Sequence, residues 1–135
     1  EETFIQMVLW AQNSLNAIPE ISLFTNEKSI LPGITAFDTS GHSPGHSSIL
    51  VESKGSKLII GGDVIRNTYT SLKNPDFIPD TDMDPVKAKK TRHEILDLLT
   101  KEKIAYLGYH FPFPGVGHII AHEKSYEFIP ASIRW

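Results

Sequence analysis

Residues 39–46 read Thr-Ser-Gly-His-Ser-Pro-Gly-His, and the interpretation of the whole chain begins from this stretch. It places two imidazole side chains, those of His42 and His46, around a Pro-Gly turn between one predicted strand and the next. The neutral imidazole nitrogen is a common metal ligand in proteins. A tight turn whose histidines hydrogen-bond the backbone fits the same spacing, so this stretch alone leaves both interpretations open.

Two further segments end an apolar strand on a residue type that binds metals. Residues 58–63, Leu-Ile-Ile-Gly-Gly-Asp, deliver the carboxylate of Asp63, and residues 107–110, Leu-Gly-Tyr-His, deliver the imidazole of His110. Strand ends are where open α/β proteins place their chemistry. Taken singly, however, the simpler interpretations are a turn-capping aspartate and a hydrogen-bonded core histidine.

The apolar pattern predicts alternating helices and strands. An amphipathic opening helix should end near Asn16 and pack on a sheet. The strands are predicted from short apolar runs separated by turn residues, and the last two form a terminal hairpin. Their ranges are 21–24, 34–37, 48–52, 57–60, 104–109, 119–121 and 126–129.

A second helix is predicted from its capping residues. Asp84 followed by Pro85 is typical of an N-cap and a first helical position. The helix should continue to about Glu102, with one apolar stripe facing the sheet. The stripe consists of Val86, Ile95, Leu98 and Leu99.

Composition restricts the classes of function. The 135 residues fit one domain, and the net charge of -3 without a basic stripe argues against binding to nucleic acid. No apolar run approaches the roughly 20 residues of a membrane span, so a water-soluble domain without membrane contact is expected. Because the chain has no cysteine, a metal would have to be held by histidines and carboxylates, which suits zinc, manganese or iron.

In combination, the three segments resemble the metallo-β-lactamase superfamily. Residues 41–46 are similar to its third histidine motif, Gly-Gly-Asp at 61–63 to its bridging aspartate, and Gly-Tyr-His at 108–110 to its final histidine. The order of the three segments along the chain and their separations also agree with those of the superfamily. Within the superfamily, the chain looks most like the methyl parathion hydrolase and lactonase-like branch, because of Asn74-Pro75-Asp76, Asp82, Thr91-Arg92 and Phe-Pro-Gly-Val-Gly-His at 113–118.

This resemblance implies a site for two metals, with zinc expected and manganese or iron as alternatives. His42 would bind the first metal and His110 the second, while Asp63 would bridge both and serve as the catalytic carboxylate. Hydrolysis would be carried out by water that the metals activate, and no side chain would act as nucleophile. The expected substrate is a small molecule with an ester, lactone or phosphoester bond.

Four further histidines are expected outside the ligand set. His46 should support the turn or orient a ligand, and His118 should order the loop that follows His110. His93 and His122 lack motif context and are expected at the surface.

The substrate is less well defined by the sequence. In lactonases of this branch a tyrosine stands three residues after the bridging aspartate, whereas this chain has Arg66 there and Tyr69 further on. Phe111, Phe113 and Trp135 are candidates to line an apolar pocket, although aromatic residues at strand ends are more often part of the core.

The resemblance also implies an incomplete fold. The superfamily's His-x-His-x-Asp-His motif is absent, so residues 1–135 are predicted to be the C-terminal half of an αββα sandwich. The expected fold class is α/β, with a mostly antiparallel or mixed sheet and flanking helices. The expected macromolecular partner is the missing N-terminal half or a second copy of this chain, since an uncovered apolar sheet face drives association.

The predicted function is therefore that of a metal-dependent hydrolase when complete, with this part alone inactive. A non-catalytic binding domain that retained the fold is the alternative, and a redox diiron protein on the same fold is a third hypothesis. A cytoplasmic location is expected, although the chain opens on Glu1 and any leader would lie upstream.

Overall fold

The computed structural model describes residues 2–25 and 28–132, and these form a mixed α/β domain around one sheet of seven strands. The strands lie side by side in chain order: β1 Lys28–Leu31, β2 Ile34–Asp38, β3 Ser47–Ser53, β4 Ser56–Ile60, β5 Ala105–Leu107, β6 Val116–His122 and β7 Ser125–Pro130. Neighbouring strands are antiparallel, except that β4 and β5 run parallel. The helices are α1 Glu2–Asn16, α2 Thr70–Lys73 and α3 Pro85–Glu102. The predicted α/β class with a mostly antiparallel sheet is confirmed.

Helix α3 begins and ends where the sequence predicts. The side chain of Asp84 accepts a hydrogen bond from the backbone N–H of Lys87 at 3.0 Å, Pro85 follows as the first helical residue, and Lys103 ends the helix in a left-handed conformation. Capping by Asp84 satisfies a donor that the first turn would otherwise leave unpaired.

The predicted apolar stripe of α3 is only partly correct. Ile95 and Leu99 are buried, whereas Leu98 is partly exposed and Val86 is 80% exposed. Val86 precedes Ile95 by nine residues, which at about 100° per residue places it on the opposite side of the helix. The buried side of the helix also includes Ala88, Arg92 and Leu96.

One face of the sheet carries the core. Alternate residues of the central strands, among them Ile59, Tyr106 and Ile119, pack with apolar residues of α2, α3 and the loops between strands. The core members outside the sheet are Val64, Ile65, Leu72, Ile95, Leu96, Leu99, Ile104 and Phe111.

The other face of the sheet is also apolar, but it is less covered. Ile49, Ile60, Leu107 and Val116 are aligned directly across β3, β4, β5 and β6, and each is only partly buried or exposed. Directly opposed residues in neighbouring strands share a face. The sheet therefore presents an apolar row, Ile49-Ile60-Leu107-Val116, on the side away from the core.

Two predictions about the N-terminal region are wrong. Residues 21–25 form no strand, and the first strand of the sheet starts at Lys28. Helix α1 has the predicted bounds, but it buries none of its residues and so does not pack into the core. Its exposed apolar residues include Phe4, Trp10 and Leu15. No helix in the described part of the chain is long and apolar enough to cross a membrane.

The other predicted strands agree with the structure in position. β2, β3 and β4 extend the predictions by one residue at one or both ends, and β6 and β7 form the terminal antiparallel hairpin. The strand predicted over 104–109 is shorter, because the chain turns after Leu107 and leaves Tyr109 76% exposed.

Candidate metal centre

The loop that carries His42 is fixed to the start of α3. The hydroxyl of Thr91 donates to the carbonyl of Ser40 at 3.0 Å, and the backbone N–H groups of Met83 and Asp84 donate to the carbonyls of His42 and Gly41 at 3.0 and 2.9 Å. These three hydrogen bonds hold the backbone of residues 40–42 against the start of α3, as expected for a site residue carried by rigid elements.

Asp63 and His110 lie close together because they follow two parallel strands. Asp63 comes shortly after β4 and His110 shortly after β5, and the carboxyl ends of parallel neighbours meet at the same edge of a sheet. Nε2 of His42 lies 3.3 Å from one Asp63 carboxylate oxygen, and Nε2 of His110 lies 3.3 Å from the other. The structure thus brings together the three side chains that the sequence singled out.

The carboxylate of Asp63 has the properties of a metal ligand. Its Oδ1 is buried and has no hydrogen-bond partner among the described residues. Buried carboxylate oxygens are costly unless they are paired or bind a cation. Two donors bound to one tetrahedral zinc at 2.0–2.2 Å stand roughly 3.3–3.5 Å apart, and the observed N···O separations fit this spacing.

The site is nevertheless incomplete within residues 2–25 and 28–132. No group of three or more histidine, aspartate or glutamate side chains in these ranges is arranged to hold a metal ion by itself. Nε2 of each imidazole faces one oxygen of Asp63, so each metal position would receive two donors from the described residues. Structural and catalytic zinc sites use three or four protein ligands, and the residues fit one part of such a site.

Asp82 contacts the ring nitrogen of His42 that does not face Asp63, and Arg92 contacts Asp82. Nδ1 of His42 lies 3.0 Å from Asp82 Oδ1, and Arg92 Nη2 donates to Asp82 Oδ2 at 3.2 Å. Burial lowers the pKa of Arg92, and the charge of Asp82 counteracts that effect. The sequence connected both residues to the site only through the family resemblance. An arginine on the otherwise apolar buried stripe of α3 was the available signal, because buried charges are almost always paired.

His46 supports Asp63 from the other side. Its Nε2 accepts a hydrogen bond from the backbone N–H of Asp63 at 3.0 Å, and its Nδ1 lies 2.8 and 3.1 Å from the hydroxyl and the carbonyl of Thr39. Burial lowers the pKa of His46, which favours the neutral ring that this pattern requires. These contacts give a physical basis to the predicted supporting role of His46.

The remaining histidines lie away from these contacts. His118 is an exposed residue of β6, aligned with Ala105 and Ile129, so it lies in a strand and not in the loop that it was expected to order. His93 binds Asp76 at 3.0 Å on a partly exposed surface of α3, and His122 is exposed at the end of β6.

The aromatic candidates for a pocket separate into two groups. Phe111 is 8% exposed and packs edge-on against Phe128 in the core, whereas Phe113 is 82% exposed. Trp135 lies outside the described residues. Near the site, the guanidinium of Arg66 donates to the hydroxyl of Thr81, and Tyr69 is largely exposed.

Comparison with known proteins finds hydrolases that are similar to this chain in sequence and fold. No family model matches the chain. The N-acyl homoserine lactonase AiiA of Bacillus thuringiensis subsp. kurstaki is 31% identical over 104 residues, which are 77% of this chain and 38% of the lactonase. The hydrolase AbOPH of the beta lactamase superfamily is 30% identical with a TM-score of 0.74, over 78% of this chain and 37% of that protein.

The structural match to a lactonase extends over nearly the whole chain. AidC, a dizinc quorum-quenching lactonase solved with a product, superposes with a TM-score of 0.88 at 27% identity, covering 98% of this chain and 46% of AidC. The chain spans less than half the length of each of these relatives.

These homologues confirm the family resemblance. The chain has the sequence and the fold of the metallo-β-lactamase superfamily. Within this superfamily the chain matches the lactonase-like branch, because its homologues include N-acyl homoserine lactonases.

Proposed function

We propose that this chain is the C-terminal half of a metallo-β-lactamase-type hydrolase that cleaves a lactone, another ester or a phosphoester with two zinc ions. The observation that carries the proposal is the convergence of His42 and His110 on the two oxygens of Asp63. The lactonase activity named for AiiA and AidC makes a lactone the first substrate class to test.

In this proposal, His42 would hold one zinc ion, His110 would hold the other, and Asp63 would bridge them. Two zinc ions supply Lewis-acid chemistry, since they polarise a carbonyl or phosphoryl oxygen and make water a better nucleophile. The negative charge of Asp63, whose two oxygens face His42 and His110, would offset part of the positive charge of the zinc ions. His46 holds the backbone of Asp63, and Asp82 holds the ring of His42.

The remaining ligands would come from an N-terminal half that packs on the free sheet face. The row Ile49-Ile60-Leu107-Val116 lies on the side of the sheet away from α3, where the second sheet of an αββα sandwich is expected. The apolar residues of α1 are also uncovered. Large uncovered apolar surfaces promote association, so this chain alone should associate with itself.

Size measurement in solution tests the pairing. We expect the isolated 135-residue chain to elute as a dimer or larger species, and a stable monodisperse monomer would contradict the missing half. Replacing Ile60 by Glu on the free face should reduce association, whereas replacing Val86 by Glu on the outer side of α3 should not, because Val86 is 80% exposed and outside the proposed interface.

Metal analysis and hydrolysis test the reaction. The protein should be expressed from its own coding region, including any sequence upstream of Glu1, and analysed for zinc by elemental analysis and for hydrolysis of N-hexanoyl homoserine lactone. We expect about two zinc ions per molecule and loss of both metal and activity in the Asp63→Ala variant. The Asp76→Ala variant is a matched control, since Asp76 is a surface carboxylate paired with Lys89 and His93.

A non-catalytic binding domain is the competing function, favoured by the two donors that each metal position receives from the described residues. The sequence upstream of Glu1 distinguishes the two: a His-x-His-x-Asp-His motif there favours the hydrolase, and its absence favours the binding domain. Iron in place of zinc, together with no hydrolysis, would favour a redox protein.

A further inference from the structure

We propose that the buried pair of Arg92 and Asp82 sets the tautomer of His42, so that Nε2 carries no proton and its lone pair faces Asp63. The consequence for metal binding rests on the proposed function, whereas the tautomer itself does not. Arg92 and Asp82 would thus be positioning residues that act on a metal ligand through hydrogen bonds.

Arg92 is a fixed donor. Its side chain is 2% exposed, and besides Asp82 it donates to the carbonyls of Pro75 at 2.9 Å, Phe77 at 2.6 Å and Val64 at 3.4 Å. These bonds tie the loop before α3 to the segment that follows Asp63. A guanidinium has donors only, and it stays charged in proteins. The acceptor that faces it must therefore be an oxygen.

Asp82 transmits this constraint to His42. Its side chain is 2% exposed, and its two oxygens are divided between Arg92 and Nδ1 of His42. An ionised carboxylate is an acceptor only, and His42 lies between two of them. Nδ1 makes the shorter contact, 3.0 Å to Asp82 against 3.3 Å from Nε2 to Asp63, and only the contact with Asp82 has hydrogen-bond geometry, so Nδ1 is the nitrogen that donates. A neutral imidazole has a single N–H, and its other nitrogen, Nε2, is then free to bind a metal. The hydrogen bond to one ring nitrogen commonly decides which nitrogen binds metal.

The Asp82→Asn variant should reverse the tautomer. Because Arg92 can only donate, the amide oxygen of the new side chain should turn toward Arg92, and the amide NH₂ should then face Nδ1 of His42. Nδ1 would have to accept, which moves the ring proton to Nε2. The substitution keeps size and burial almost unchanged, so it alters the proton's position more than the packing.

Long-range ¹H–¹⁵N NMR of the metal-free full-length protein observes the histidine ring nitrogens directly. The spectra should be recorded at a pH high enough that the ring chemical shifts no longer change with pH, because the ring is then neutral. In the wild type and in Asp76→Asn, we expect the tautomer of His42 that carries the ring proton on Nδ1. In Asp82→Asn, we expect the tautomer that carries it on Nε2. The control removes a carboxylate charge from the same loop at an exposed position that does not contact His42. An Nε2–H wild type, or an unchanged tautomer in Asp82→Asn, would overturn the proposal.

Zinc affinity, measured by competition with a chromophoric chelator, tests the consequence. We expect Asp82→Asn to bind zinc roughly 10- to 100-fold more weakly and Asp76→Asn to bind it unchanged. Equal affinity in all three proteins would remove the claimed effect on metal binding. A wild type that binds no zinc would refute the proposed function, and the NMR measurement alone would then decide the tautomer. If Asp82→Asn does not fold, the wild-type tautomer alone still decides, because an Nε2–H ring contradicts the inference.

Discussion

Replacing Gly41 by alanine should destabilise the protein strongly, because this glycine touches the backbone of α3. Its φ angle is +138°, and a Cβ there would lie 2.4 Å from Cα and N of Ala88. Backbone strain at such a position costs about 1–3 kcal/mol. Forcing a methyl group against helix backbone costs about 1–3 kcal/mol more. We therefore expect Gly41→Ala to lower the free energy of unfolding by about 2–6 kcal/mol.

Gly45→Ala is the matched control in the same loop. Gly45 also has a positive φ angle, +75°, but a Cβ there meets nothing within 4 Å, so only the conformational cost of about 1–2 kcal/mol applies. An unfolding entropy of about 2.1 cal/mol/K per residue gives roughly 3–4 °C of Tm per kcal/mol for a chain of 135 residues. Gly41→Ala should accordingly lower Tm by about 7–20 °C, and Gly45→Ala by about 3–7 °C.

Thermal unfolding followed by circular dichroism measures both shifts, and urea unfolding measures the free energies independently. A Gly41→Ala shift no larger than that of Gly45→Ala would refute the close packing of this loop on α3. The contact lies next to His42, so zinc affinity should also fall in Gly41→Ala.

Three further outcomes follow from the structure. His110→Ala should abolish hydrolysis and remove about one zinc ion per molecule in elemental analysis. His118 is an exposed strand residue, so His118→Ala should keep its zinc, and a larger metal loss in this variant would show that the wrong histidine was assigned. Tyr106→Phe should leave stability to urea unchanged or raise it by up to about 1 kcal/mol, because the buried hydroxyl of Tyr106 faces the backbone of Ile65 without a hydrogen bond of good geometry; a loss of more than about 1 kcal/mol would show that this contact is a stabilising hydrogen bond. Burial lowers the pKa of His46, so below pH 6.5, the ordinary value, the unfolded chain takes up a proton that the folded chain does not. The free energy of unfolding, measured with urea, should therefore fall as the pH drops below 6.5. His46→Gln should reduce the slope of this free energy against pH, and an unchanged slope would contradict the argument.

Local order could be predicted from the sequence wherever neighbouring residues decide it. The start of α3 follows from two residues. The side chain of Asp84 accepts a hydrogen bond from an N–H of the first turn, and Pro85 has no N–H that would need a partner. The strands β2, β3 and β4 follow from short apolar runs between turn residues. The same reasoning fails for residues 21–24, since an apolar run forms a strand only if a neighbouring strand accepts its hydrogen bonds.

The candidate ligands were also named from the sequence. His42, Asp63 and His110 each follow an apolar strand within a Gly- or Pro-containing turn, and the resemblance to the superfamily singled them out as ligands. Their meeting required the tertiary structure, in which the parallel pairing of β4 and β5 brings two strand ends to one edge. The hydrogen bonds behind them also depend on the fold. Asp82 lies 40 residues from His42, and Arg92 lies a further 10 along the chain, so only the packing of α3 on the sheet joins them. A hydrogen bond between distant residues has no local periodicity, and for that reason the sequence pattern could not show that Asp82 and Arg92 contact His42.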